Sequence, residues 1–173
     1  MFAEGINQIF GLPAHPLIVH AAVVFIPLGA LTMLLAIWPK WRRPMLTATA
    51  ALAVLGAVFV LLAASSGEGL EERVGADRAK VEEHQEAGDK AQGPAVLFAG
   101  VAVLALAAEH LRGKDKKFKG KTMPTWAPSV LLAATVITGA VSAGLVVNAG
   151  HSGAKSVWDG TQTGGEKGGD DEG

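Results

Sequence analysis

The stretch His15-Pro-Leu-Ile-Val-His20 opens an apolar run that extends to Trp38. His20 lies about a turn and a half inside this run. An ionisable residue within a membrane-spanning segment is a candidate functional residue, because burying it in lipid is costly. The other long apolar runs carry ionisable residues only at their ends. This first run therefore indicates both the fold class and the region in which to look for a site.

Half of the 173 residues are hydrophobic, and most of these fall into four runs, at about 16–38, 45–66, 94–111 and 128–149. Each run has about 18 to 23 residues, enough at 1.5 Å per residue to cross a hydrocarbon core of about 30 Å. None has the polar face of a helix on a soluble protein. The sequence predicts an all-α integral membrane four-helix bundle. It forms one domain over residues 1–158, followed by a disordered glycine-rich acidic tail over 159–173.

The distribution of charge predicts the orientation of these spans. Of the fifteen lysines and arginines, nine lie in the connection between spans 1 and 2 and in that between spans 3 and 4. By the positive-inside rule both connections are cytoplasmic, which puts both termini outside a plasma (inner) membrane. The nine residues are Lys40, Arg42, Arg43, Arg112, Lys114, Lys116, Lys117, Lys119 and Lys121.

The segments between and before the spans also carry patterns. Apolar residues recur at helical spacing in residues 1–12 and predict a short N-terminal interfacial helix rather than a cleaved signal peptide. The outer loop between spans 2 and 3 predicts two short amphipathic helices broken at Gly75, with Gly93-Pro94 starting the third span. In that loop His84 shares a helical stripe with Ala91, which predicts that it faces protein or membrane.

Four of the five histidines fall at the outer face on this orientation, whereas His110 falls inside. Neutral imidazole is a common metal ligand, and two imidazoles can hold haem iron from both sides. We therefore predict a cofactor site at the outer face, formed by His20, His84 and His151, with His15 either as a fourth ligand or as a residue that orients the ligands. Purely structural hydrogen bonding by these histidines is the open alternative.

Several occupants suit such a site. A b-type haem is preferred, because imidazole pairs between bundle helices suit it and the chain has no cysteine for thiolate ligation or covalent haem attachment. Copper or zinc held by His20, His84 and His151 is the next candidate, and an empty structural cluster is the third. Four residues are predicted to orient the ligands from a second layer: Glu68, Glu71, Glu86 and Asn148.

Four motifs resemble a known bacterial family. They are His15-Pro-Leu-Ile-Val-His20, Ser66-Gly-Glu-Gly-Leu-Glu71, His84-Gln-Glu-Ala-Gly88 and Gly150-His-Ser-Gly-Ala-Lys-Ser-Val-Trp158. Together they resemble the actinobacterial branch of the membrane-domain family catalogued as domain of unknown function 2231. The resemblance extends from residue 11 to about 158 and implies a four-span membrane domain. It marks His15, His20, Glu71, His84 and His151 as matching positions and carries over no activity.

Two functions from different classes remain. The first is a haem or metal protein for one-sided electron transfer or sensing, because only His110 is available at the inner face. The second is a non-catalytic accessory subunit of a larger membrane complex or homo-oligomer, packing through the small residues Gly139, Ala140, Ala143 and Gly144 of span 4. No nucleophilic or acid–base constellation indicates an enzyme, lipids are expected partners, and the basic connection is too short and too close to the membrane for nucleic acid.

Overall fold

The structure is a computed structural model that describes residues 8–9, 12–74, 78–111 and 124–158, with side chains described at 14–66, 82–111 and 124–155. Four helices account for nearly all of it: α1 (Ala14–Leu35), α2 (Arg42–Val74), α3 (Arg78–Leu111) and α4 (Ala127–Trp158). Each contains a stretch long and apolar enough to cross a membrane: Ala14–Leu35, Arg42–Ser66, Glu82–Leu111 and Ala127–Lys155. The predicted all-α, four-span membrane fold is confirmed.

The helices form a ring in which α1 packs on α2, α2 on α3, α3 on α4 and α4 on α1. The interior is built mainly from alanine, and the large leucine, valine and isoleucine side chains are mostly on the outside. Lipid is as apolar as these side chains, so helix association in a membrane depends on close packing instead. Small interior residues permit that packing.

Two large side chains fill spaces that glycines leave open. The fully buried Phe98 ring of α3 lies against both α1 and α4. A Cβ atom built on Gly139 of α4 would be 2.9 Å from Cε2 of Phe98, and a Cβ atom built on Gly29 of α1 would be 3.4 Å from Cε1 of Phe98. Ile26 of α1 lies over Gly56 of α2 in the same way, at 2.6 Å from the built Cβ. These glycines therefore fix how each helix is rotated about its own axis.

The connection between α1 and α2 is a tight turn. Residues 36–41 form turns, with Trp38 and Trp41 exposed beside the basic residues. The Arg42 guanidinium donates to the carbonyl oxygens of Ala36 and Ile37, both at 3.4 Å. A cation at the C-terminal end of a helix satisfies carbonyl groups that have no partner within that helix.

The N-terminal segment differs from its prediction. Gln8–Ile9 (β1) and Leu12–Pro13 (β2) are extended and pair antiparallel, with Ile9 opposite Leu12. A residue before proline is pushed out of the helical region, which accounts for the extended Leu12. The predicted interfacial helix over 1–12 is therefore wrong at these positions, and its other residues lie outside the described ones.

The outer loop also differs from its prediction. α2 extends through the first part of this loop to Val74, and α3 already begins at Arg78. In the described residues the loop therefore has no separate short helices. Pro94 lies inside α3 instead of starting a helix. Ala91 and Ala95, on either side of it, are both buried on one face, and this packing outweighs the local preference of proline to begin a helix. The predicted break at Gly75 and the predicted disordered tail lie outside the described residues.

The fit between Phe98 and Gly139 predicts a position-specific loss of stability. Gly139→Leu should lower the free energy of unfolding by about 1–3 kcal/mol, because the enlarged side chain must displace a buried ring. Gly144→Leu is the matched control, since Gly144 is exposed on the same helix and a Cβ there meets nothing within 4 Å. Thermal unfolding in mild detergent, followed by circular dichroism, measures both. Equal stability of the two variants would contradict the described packing of α4.

Candidate functional site

Two of the predicted histidines meet at one end of the bundle. His15 lies in the first turn of α1 and His84 in the N-terminal half of α3, and both are half-buried. Their ring centres are 6.1 Å apart and the ring planes are perpendicular. Two residues distant in sequence are therefore brought together, and they are two of the four histidines that the sequence analysis assigns to one site.

A serine of α2 fixes the hydrogen bonding of His15. The Nδ1 atom of His15 is 2.9 Å from the Ser66 hydroxyl, and that hydroxyl donates its proton to the Ala63 carbonyl oxygen at 3.0 Å. A hydroxyl has one proton to donate, so Nδ1 of His15 must be the donor toward Ser66. The neutral ring is then protonated at Nδ1 and carries its lone pair on Nε2.

A serine of α4 holds His84 in the same way. The Nδ1 atom of His84 is 3.2 Å from the Ser152 hydroxyl, which donates to the Ala149 carbonyl oxygen at 2.9 Å. Nδ1 of His84 therefore also donates, and Nε2 again carries the lone pair. The His84 ring lies against the backbone of α4, because a Cβ built on Gly153 would be 2.8 Å from its Cε1 atom.

The arrangement has both a structural and a chemical consequence. The His15–Ser66 bond joins α1 to α2, the His84–Ser152 bond joins α3 to α4, and the contact between the rings joins the two halves. Chemically, it offers two imidazoles whose Nδ1 atoms are tethered and whose Nε2 atoms carry lone pairs. A tethered Nδ1–H with the lone pair on Nε2 is the usual state of a metal-binding histidine.

The other two predicted ligands lie elsewhere. His20 and His151 are both exposed, and His20 Nδ1 donates to the Pro16 carbonyl oxygen in its own helix. His110, at the opposite end of the bundle, is exposed and donates from Nδ1 to the Leu106 carbonyl oxygen at 3.0 Å. The described residues thus bring together one pair of histidines and place the other two predicted ligands on the surface.

The predicted orienting residues do not contact the pair in the described structure. Glu86 is exposed and forms an ion pair with Lys90 at 2.8 Å, and Asn148 is exposed. The side chains of Glu68 and Glu71 lie outside the described residues. Within the described residues, no three histidine, aspartate or glutamate side chains form a group that could hold a metal ion. Serine hydroxyls, instead of carboxylates, orient the imidazoles.

Ser66, Ser152 and Gly153 are the site residues that the sequence analysis did not assign to the site. Their signal in the sequence is weak. Both serines lie at the same end of their spans as the histidines, and Ser152-Gly153 directly follows His151. Serine and glycine are common at helix ends for many reasons, so only contact across the bundle identifies their role.

Comparison with known proteins gives a family without an assigned activity. A family model described as "Predicted membrane protein (DUF2231)" matches residues 11–163. No curated protein and no solved structure matches the chain. The match covers both histidines of the pair and both serines that hold them.

The described hydrogen bonds predict that Ser66 stabilises the bundle through His15. Ser66→Ala removes the hydroxyl acceptor of the half-buried Nδ1–H of His15, which leaves it only the nearby Ala63 carbonyl oxygen. The loss of this hydrogen bond should lower the free energy of unfolding by about 0.5–1.5 kcal/mol. Ser65→Ala is the matched control, because Ser65 is exposed and its hydroxyl bonds only to the Leu62 carbonyl oxygen among the described contacts. Thermal unfolding in detergent should show a change within about 0.5 kcal/mol for the control. Similar losses in both variants would contradict the role of this bond.

Proposed function

Since the chain belongs to the DUF2231 family of predicted membrane proteins, which have no assigned chemistry, we propose that it binds a transition-metal centre between His15 and His84. On this proposal the protein is a multi-pass membrane protein that uses the centre for electron transfer or sensing on one side of the membrane.

The spacing and tethering of the two rings carry the proposal. Metal–imidazole bonds are about 2.0 Å long, so two imidazoles that share one ion have ring centres about 5 to 6 Å apart. The observed separation of 6.1 Å is just above this range, so a small movement of the rings would bring them to it. With both Nδ1 atoms bonded to serine, both Nε2 lone pairs remain available as ligands.

The packing around His84 favours a single ion over haem. A haem would have to lie between the two imidazoles, and its macrocycle is much wider than either ring. The His84 ring already lies against α4 at Gly153, which leaves little width on that side. Copper and zinc both accept imidazole ligands and need no such opening. Further ligands would come from water.

The orientation of the chain is part of the proposal. Lys40, Arg42 and Arg43 lie at the end of the bundle opposite to His15 and His84. By the positive-inside rule that end faces the cytoplasm of a plasma membrane, and the histidine pair and both termini face the outside. At the cytoplasmic end His110 is the only histidine, so a chain of redox centres across the membrane is not proposed.

One observation favours a second candidate, a structural role in a larger membrane complex. The two His–Ser bonds join α1 to α2 and α3 to α4, just as a hydrogen bond of 3.0 Å between the Thr32 and Thr49 hydroxyls joins α1 to α2. Holding neighbouring helices together is sufficient reason for a polar cluster. Moreover, the small-residue face of α4 is divided. Gly139 and Ala143 pack inside the bundle, whereas Ala140 and Gly144 are exposed. A helix of another subunit, or of a second copy, would pack on Ala140 and Gly144.

Metal content distinguishes the two candidates. Protein purified in mild detergent should contain stoichiometric copper or zinc, measured by elemental analysis, or take it up on titration. His15→Ala and His84→Ala should lose that ion, because each removes one of two ligands. His110→Ala is the control and should keep it, since His110 lies at the other end of the bundle. A Soret band lost in the same two variants would identify haem as the occupant instead.

A metal-free protein would contradict the proposal. If the protein binds no metal and shows no visible absorption, and if His15→Ala and His84→Ala only lower the unfolding temperature, the metal proposal is wrong. The histidine pair then has the structural role of the second candidate.

A further inference from the structure

The two histidines left outside the His15–His84 pair lie at the same end of the bundle. His20 is on α1 and His151 is on α4, two helices that pack against each other, and both side chains are exposed. The described parts of these helices carry one charged residue between them, Lys155, which is exposed. His20 is an exposed histidine on an otherwise apolar face of α1, which is unusual enough to require an explanation, whereas His151 lies on the same face of α4 as the exposed Asn148 and Lys155.

The depth of the two residues follows from a close contact between the helices. A Cβ built on Gly150 would be 2.9 Å from Cγ2 of Val23, so α1 and α4 touch at this point. The helices run antiparallel. At a rise of 1.5 Å per residue along each helix, His20 lies about 4.5 Å and His151 about 1.5 Å from the level of the Val23–Gly150 contact, both toward the outer end of the bundle. Their backbones therefore differ in depth by about 3 Å, less than one helical turn.

Helical rotation puts both residues on the same side of this contact. On α1, His20 and His15 lie on opposite sides of Val23, about 140° apart at 100° per residue. On α4, His151 and Gly153 likewise lie on opposite sides of Gly150, about 160° apart. His15 and Gly153 both contact His84 inside the bundle. His20 and His151 consequently both lie on the outer side of the line along which α1 and α4 meet.

The chemistry of His20 suits it to bind a metal ion. Its Nδ1 atom is 2.6 Å from the Pro16 carbonyl oxygen. A carbonyl oxygen only accepts, so Nδ1 is protonated and Nε2 carries the lone pair. A backbone carbonyl that holds Nδ1–H is a common support for a metal-binding histidine.

We infer that His20 and His151 form a second imidazole site, on the outer side of the α1–α4 contact, which binds a divalent transition-metal ion. The site does not depend on the His15–His84 pair. Two imidazoles approach the ion from the protein side, and water completes its coordination from the membrane–water boundary. The exposed valines Val24 and Val147, one turn deeper on each helix, border the site on the membrane side.

Zinc titration of the full chain in mild detergent tests this second site. In the His15→Ala background, so that only the outer pair is measured, calorimetry should detect one Zn²⁺ site. His20→Ala or His151→Ala should weaken this binding at least about tenfold. The double variant should bind Zn²⁺ no more than about twofold more weakly than either single variant, because the loss of one ligand already breaks a shared site. Unfolding temperatures should stay unchanged, since both side chains are exposed.

His110→Ala is the matched control, because His110 is also exposed and also donates from Nδ1 to the carbonyl oxygen four residues earlier. It should leave the measured affinity unchanged. The inference is overturned if no Zn²⁺ binds in the His15→Ala background or if the single variants leave the affinity unchanged. It is also overturned if the losses of binding free energy from the two substitutions add, as they would for two independent sites. Loss of metal in His15→Ala or His84→Ala alone concerns the inner pair, so the two proposals fail separately.

Discussion

A half-buried imidazole in a bundle of apolar helices must find its hydrogen-bond partners within the protein, because an unpaired polar atom away from water is costly. In this bundle the partners of the two inner histidines are serines of the neighbouring helices. Each serine in turn donates to the backbone of its own helix, and this fixes the direction of the whole hydrogen-bonded chain. The tautomer of both rings follows from that direction, and so does the chemistry that they can perform.

Close packing is what makes these short contacts possible. Glycines accept Phe98, Ile26, Val23 and the His84 ring at distances where a Cβ atom would collide. A helix that approaches so closely has little freedom to rotate, and its polar side chains are then held in one direction. The glycine positions therefore connect the apolar core with the hydrogen bonds at the end of the bundle, although none of them is chemically active.

The two histidine pairs differ in what surrounds them. His15 and His84 are half-buried and are joined through four helices, so a structural role and a ligand role are compatible in the same residues. His20 and His151 support no packing that the structure describes, which makes them the cleaner case for a ligand role.

Hydropathy and length alone predict the fold class and the four spans, because an apolar run of about 20 residues has few alternatives to a membrane helix. The sequence also predicts that four of the five histidines lie at one end, since position along a span is read directly from residue number. It could not predict which histidines meet. The spans have apolar residues on all sides, so no polar face indicates how each helix is rotated. That rotation depends on contacts between distant glycines and large side chains, such as Gly139 with Phe98, and only the tertiary structure decides it.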